Sequence, residues 1–169
     1  MTDAQLATLR TNILTLAAPG QPLELLVAAG NTDAIADYYN ALAVPDWFVW
    51  RTSVSRADIY SGNPQPENSA WNWTTYKNQS ATEQGAWTQM FMGDQANFAQ
   101  DNIRAGVSAI FTGSAQANAQ RDHVLAVARR QANRLEKLFA VGTGSTAAPA
   151  KMGFEGTTSG REVFTALHP

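Results

Sequence analysis

Apolar residues recur at helical spacing along most of this sequence. The first run consists of Leu6, Leu9, Ile13 and Leu16. Their spacing predicts an amphipathic helix over residues 3–17, and Thr2 with Gln5 matches a capping box at its start. Ser80 and Glu83 repeat that capping spacing further along the chain. The pattern also predicts helices over residues 33–42, 81–92 and 99–112, with shorter helices or helical turns over 23–29, 55–60 and 69–76.

The strongest helical pattern lies towards the C-terminus. Between Gln116 and Ala140 the sequence contains neither glycine nor proline. Its apolar positions alternate spacings of three and four, which is typical of packed helices. They are Leu125, Ala128, Ala132, Leu135 and Phe139. We therefore predict one long helix over residues 116–140, which ends before the Gly-Thr-Gly sequence at 142–144.

Two stretches interrupt the helical pattern. Residues 47–52 (WFVWRT) are aromatic and β-branched, which favours a short strand or an extended wall segment. The sequence leaves open whether they are strand or helix, and a short β-hairpin is one arrangement for them. Residues 61–66 contain two prolines and one glycine and are predicted to form a loop.

The C-terminal residues differ in composition from the rest. Residues 141–150 are mostly small and are predicted to be a linker. Residues 151–169 are too short to fold alone, so they lie against the body, against another protein, or stay disordered. We favour an extended arm that docks through apolar side chains, namely Phe154, Val163, Phe164 and Leu167. The predicted fold class is therefore mainly α: a helical bundle over residues 1–140 with a long C-terminal helix and an extended C-terminal arm.

The composition argues against most kinds of catalytic site. The chain has 169 residues, no cysteine and two histidines, His123 and His168. Disulfides, thiol nucleophiles and cysteine zinc sites are excluded, and a histidine-built metal centre or catalytic triad is disfavoured. We expect His123 to be a surface or partly packed residue. The sequence predicts no catalytic residue, no cofactor and no metal.

The chain is weakly charged and rich in alanine. Its 12 basic and 14 acidic residues give a net charge of −2, and charged residues make up 15% of the sequence. The usual share is about 25%. Such a surface is reasonable if neighbouring copies of the chain cover much of it. The composition is therefore compatible with an assembled protein, and by itself it does not distinguish one from an isolated globular domain.

The predicted last helix carries a group of basic residues. Arg130, Arg134 and Lys137 have the spacing i, i+4 and i+7, which places them on one helical face. One interpretation is contact with nucleic acid or with an acidic protein ring. The other is a solvated face whose cations suit the end of a helix.

The N-terminus shows no signal for membrane targeting. It lacks a basic region followed by an apolar one, and the apolar stretch at 23–29 is too short to span a bilayer. We expect no membrane partner. We expect the protein to be made and used in a cytoplasm or to be released by lysis.

Several short strings, taken in order, resemble a family of small virion proteins of tailed bacteriophages. The strings are DYYN at 37–40, WFVWRT at 47–52, NIRAG at 102–106, IFTG at 110–113, ARRQANRLEKLFA at 128–140, GTG at 142–144 and FEG at 154–156. Each is short, and their common order makes the resemblance specific. Residues 61–80 depart from the family pattern.

The resemblance implies a structural virion protein, assembled in the host cytoplasm, without catalytic residues. Within that class it favours a head–tail connector adaptor or head-completion protein. The implied partners are other copies of the chain in a ring of about twelve, the portal, the tail proteins and, by proximity, packaged DNA. Alternatives are a capsid decoration or tail-completion protein and, from another class, a small nucleic-acid-binding regulator or an enzyme that uses a carboxylate pair assembled by the fold.

Overall fold

The computed structural model describes residues 1–65 and 67–169, of which 51% are in helices and 9% in strands. The prediction of a mainly α protein is confirmed. Pro66, part of the predicted loop at 61–66, lies outside the described residues. The helices of the described part are α1 (Asp3–Leu16), α2 (Glu24–Ala28), α3 (Thr32–Asn40), α4 (Arg56–Ser61), α5 (Trp73–Lys77), α6 (Ala81–Met90), α7 (Asp101–Ile110), α8 (Ala115–Val127), α9 (Arg134–Phe139) and α10 (Gly160–Leu167). Its strands are β1 (Phe48–Trp50), β2 (Val54–Ser55), β3 (Gln95–Ala96) and β4 (Arg129–Gln131).

The chain folds into two compact units. The first consists of Met1–Trp47 and Gln131–Pro169, and the second of Phe48–Arg130. In the first unit α10 packs against α1 and α3, and α9 packs against α3. Each of these helices turns apolar side chains inward, so that their packing encloses one core. This core contains Leu9, Ile13, Leu23, Ile35, Ala36, Tyr39, Leu135, Val163 and Ala166.

Aromatic side chains dominate the core of the second unit. The rings of Trp87, Phe91, Phe98 and Phe111 are at most 1% exposed. Trp71 stacks on Trp87 with 5.3 Å between the ring centroids. Helices α4, α6, α7 and α8 pack around these rings. Aromatic pairs add to the free energy of apolar burial, so this cluster stabilises the second unit.

Helix starts follow the capping signals of the sequence. The Thr2 hydroxyl accepts a hydrogen bond from the Gln5 backbone N–H at 3.3 Å, and the Gln5 side chain accepts one from the Thr2 backbone at 2.9 Å. Ser80 and Glu83 form the same reciprocal pair at the start of α6. Each box satisfies backbone donors that a helix leaves free at its first turn. The predicted beginnings of α1 and α6 are confirmed.

The prediction of one helix over residues 116–140 is wrong. Helix α8 ends at Val127, residues 129–131 form β4, and a separate helix α9 begins at Arg134. The backbone N–H of Ala132 donates to the carbonyl of Trp47 at 2.7 Å, so strand-like pairing replaces helical hydrogen bonding there. Asn133 then caps α9, accepting from the N–H of Glu136 at 2.7 Å. A tertiary partner and a new cap outweigh the helical spacing of the apolar residues.

The stretch at 47–52 is a strand at 48–50, and it does not form a hairpin. Strand β1 pairs with β4, and β2 pairs antiparallel with β3. In both pairs the partner strands are far apart in sequence, which excludes a tight turn between them. None of the helices in residues 1–65 and 67–169 has the length and apolarity needed to cross a bilayer.

Candidate interaction surface

The C-terminal residues end in a helix that packs within the first unit. The side chain of Val163 is completely buried, and Phe154 and Leu167 are partly buried against the same core. The ring of Phe154 lies 5.8 Å from that of Phe139. Phe164 is 54% exposed. Of the four residues predicted to dock the arm, Phe164 therefore presents the largest apolar surface to a partner.

A salt bridge fixes the start of α10. The N-terminal ammonium group of Met1 donates to Glu162 Oε1 at 3.0 Å, and Glu162 also forms a capping box with Ser159. Burial alone would raise the pKa of the Glu162 carboxyl. The hydrogen bonds from the ammonium group and from Ser159 outweigh burial, so the pKa lies below its usual value.

Large apolar side chains are exposed on both units. On the first unit they are Leu14, Leu25, Leu42, Val44, Val141 and Phe164, and on the second they are Trp73 and Met92. Single exposed apolar residues are ordinary on a protein surface. Leu25, Val44, Val141 and Met92 are each at least 74% exposed, a large area for residues of this size. These side chains are candidates for burial in an assembly.

The three predicted basic residues do not share a helical face. Arg130 lies in β4, whereas Arg134 and Lys137 lie one turn apart on α9. The predicted single face required the continuous helix that the structure replaces with α8, β4 and α9. Arg134 and Lys137 remain close together on α9, and each contacts an aromatic ring.

Both remaining cations lie over aromatic rings. The Arg134 guanidinium carbon is 4.2 Å from the centroid of the Tyr38 ring, and its Nη1 donates to the Tyr38 carbonyl at 2.9 Å. The Lys137 Nζ is 4.9 Å from the Trp47 ring. Within the described residues, no carboxylate forms an ion pair with either cation. Both positive charges therefore remain available to an anion.

These cations line an open cleft of about 450 Å³ in the first unit. Its walls come from α1, α3, the loop before β1, and α9. Its lining side chains are Asn12, Leu16, Tyr38, Tyr39, Val44, Arg134, Lys137 and Leu138. The Tyr39 hydroxyl donates to Asn12 Oδ1 at 2.7 Å, and burial raises the pKa of that hydroxyl above its usual value. Tyr39 is therefore neutral at physiological pH, and the charged side chains of the lining are both cations.

The expectation for His123 is wrong, because the residue is only 1% exposed. Its Nε2 lies 2.8 Å from the Ile59 carbonyl oxygen, and its Nδ1 lies 3.0 Å from the Ser69 hydroxyl. A carbonyl can only accept, so Nε2 donates to the Ile59 carbonyl, and Nδ1 forms a hydrogen bond with the Ser69 hydroxyl. His123 thus joins α8 to two other segments of the second unit. No cluster of potential metal ligands occurs among the described residues.

Several of the short strings singled out in the sequence contact one another within the first unit. Tyr38 of DYYN lies under Arg134 of the long string at 128–140. Trp47 of WFVWRT lies under Lys137 of that same string. The Glu136 carboxylate accepts from the backbone N–H of Gly156, the glycine of FEG, at 3.0 Å.

The second unit contains the same kind of contact. The Arg104 guanidinium carbon of NIRAG is 4.8 Å from the Trp50 ring of WFVWRT. The backbone N–H of Arg51 donates to the Ala128 carbonyl at 2.9 Å. In both units the strings therefore supply contacts within the fold.

Comparison with protein-family models gives no match to this chain. Searches of curated proteins and of solved structures also return no match.

The sequence pattern did not predict the cleft as a site. It indicated Arg134 and Lys137 together with Arg130, and it gave no sign of their contacts with Tyr38 and Trp47. The available signal was local: two cations three positions apart, followed by Leu138. The aromatic and aliphatic walls come from distant segments, which one sequence does not bring together.

Proposed function

We propose that this protein is a structural component of a tailed-bacteriophage particle, and that it forms an adaptor ring joining the portal to the tail. The observation that carries the proposal is the mutual contact of the resembling strings, such as Trp50 with Arg104 and Tyr38 with Arg134. Proteins that share these strings would share the contacts that the strings form within each unit. These contacts give the strings a structural role, which is consistent with a structural protein of the particle.

The exposed apolar side chains support an assembled state. A ring with heterologous contacts buries two different patches on each subunit. Leu25, Val44 and Val141 lie on separate segments of the first unit, and each exposes most of its side chain. Burying such residues would contribute roughly 25 cal/mol for each Å² removed from water.

The C-terminal segment takes part in the proposed assembly through Phe164. Deletion of residues 151–169 would also remove Val163 from the core and would test folding rather than docking. A surface substitution, Phe164→Ser, leaves the core untouched. Thr165→Ala is the matched control, because Thr165 is an exposed neighbour on the same helix.

The deciding experiment locates and counts this chain in purified particles of a phage that encodes it. We expect density at one vertex, with a ring of about twelve copies between portal and tail. A knockout should yield DNA-filled heads without tails, which wild type and Thr165→Ala restore and Phe164→Ser restores poorly. Hundreds of copies spread over the head would instead identify a capsid decoration protein. Absence from the particle would overturn the virion assignment.

A further inference from the structure

Within residues 1–65 and 67–169, Arg134 and Lys137 are positioned without a salt bridge to a carboxylate. Both side chains are half-buried in the cleft wall. Arg134 is fixed by the Tyr38 carbonyl and ring, and Lys137 lies over the Trp47 ring. An aromatic ring attracts a cation through its quadrupole and leaves the net charge unchanged. Positioned charges of one sign in a concave site raise the local concentration of anions.

The rest of the lining combines three aliphatic side chains with Asn12 and the rings of Tyr38 and Tyr39. The aliphatic side chains are Leu16 of α1 and Leu138 of α9, which are partly buried against the core, and Val44, which is 74% exposed. A purely hydrophilic anion would pair with the cations without covering the exposed parts of these three side chains. A ligand that combines a negative charge with an aliphatic group would satisfy both.

We propose that this cleft binds an acidic peptide segment of a partner protein, in which a carboxylate side chain neighbours an aliphatic one. The carboxylate pairs with Arg134 and Lys137, and the aliphatic side chain packs between Leu16, Val44 and Leu138. The cleft volume of about 450 Å³ lies within the range of about 300–1,000 Å³ that is usual for ligand sites. It accommodates a few side chains of such a segment.

The charge distribution of the cleft fits an acidic peptide better than it fits duplex nucleic acid. Duplex DNA presents closely spaced phosphates and binds best to an extended basic surface. Here two cations lie in a concave, partly apolar site, and Arg130 does not belong to it. This inference stands on the cleft alone and does not depend on the proposed virion role.

Titration of the full-length, ¹⁵N-labelled chain tests the inference by NMR. The probe is the peptide acetyl-Leu-Glu-Leu-Glu-amide. One comparison peptide replaces glutamate by glutamine, and another replaces leucine by serine. We expect the first peptide to shift the amide signals of Val44, Arg134 and Lys137, and to bind at least about tenfold more tightly than either comparison peptide. A duplex DNA oligonucleotide is titrated in parallel.

Three variants separate binding from folding. Lys137→Gln removes one charge, and Val44→Ser removes an exposed apolar contact; we expect each to weaken peptide binding several-fold with an unchanged thermal midpoint. Arg121→Gln is the control, because Arg121 is a cation of the second unit that pairs with Asp122. We expect this variant to bind the peptide with the same affinity as wild type. The proposal is overturned if the glutamine peptide binds equally well, or if Lys137→Gln and Val44→Ser leave affinity unchanged. It is also overturned if DNA shifts the same amide signals and the peptide does not.

Discussion

The indole ring of Trp47 lies directly against the Cα of Gly144, so that a Cβ built on this glycine would overlap the ring. Gly144 also has φ +66°, a left-handed conformation that favours glycine. The Lys137 ammonium group lies over the same indole ring. Gly144 therefore helps to position the ring that contacts Lys137 beside the cleft.

Gly144→Ala should destabilise the protein through both effects. The left-handed backbone costs about 1–2 kcal/mol for a residue with a Cβ, and displacement of the indole adds about 1–3 kcal/mol of overpacking. Gly20→Ala is the matched control, because Gly20 has φ +78° and no neighbouring atom near its Cβ position. Urea unfolding of both variants measures the difference. Equal losses would show that the contact with Trp47 contributes nothing.

Truncation of two neighbouring side chains of α10 should change the free energy of unfolding by very different amounts. Val163 is completely buried and Phe164 is 54% exposed. Val163→Ala should lower the free energy of unfolding by about 1–3 kcal/mol, since it leaves a cavity in the core. Phe164→Ala should change it by less than about 0.5 kcal/mol. Thermal unfolding followed by circular dichroism distinguishes the two. If both variants were neutral, α10 would not belong to the folded core.

Local signals in the sequence were sufficient for part of the fold. Capping boxes at Thr2 and Ser80 located the starts of α1 and α6, because a cap depends on residues only three positions apart. The same reasoning applied to Asn133 and Glu136 would have located the start of α9. The apolar spacing continues on both sides of Asn133, and it therefore predicted an unbroken helix where the cap begins a new one.

Long-range packing determined what the sequence did not predict. Residues 151–169 were expected to form an extended arm, because they follow a small-residue linker and are too short to fold alone. Instead α10 packs against α1 and α3, which are distant from it in sequence. The cleft likewise joins Leu16, Val44 and Leu138 from three separate segments. Spacing along the chain does not reveal which segments meet, so the cations were predicted and their aliphatic surroundings were not.

The salt bridge between the Met1 ammonium group and Glu162 predicts a loss of stability in acid. The pKa of the Glu162 carboxyl is lower in the folded than in the unfolded chain, where it is near the ordinary value of 4.5. The unfolded state therefore binds more protons as the pH falls. The stabilisation is present above about pH 4.5 and is lost progressively below it.

Glu162→Gln should remove this component of the pH dependence. Unfolding by urea between pH 3 and pH 7, about the range in which carboxylates titrate, should show a shallower slope for the variant than for wild type. Arg161→Gln is the control, because it changes the charge of α10 by one unit in the opposite direction at an exposed position outside the salt bridge. Slope changes of equal size and opposite sign in the two variants would point to the net charge of the helix instead of the contact with Met1.

Substitution of Asn133 distinguishes the observed chain path from the continuous helix that the sequence favoured. In a continuous helix Asn133→Ala would be stabilising, because alanine has the higher helix propensity. In the structure Asn133 caps α9, accepting from the Glu136 N–H at 2.7 Å, and its Nδ2 donates to the Gly156 carbonyl at 2.8 Å. Loss of the cap alone should cost about 0.5–2 kcal/mol. Urea unfolding should therefore give a lower midpoint for Asn133→Ala than for wild type, and a higher midpoint would mean that residues 128–133 are helical in solution.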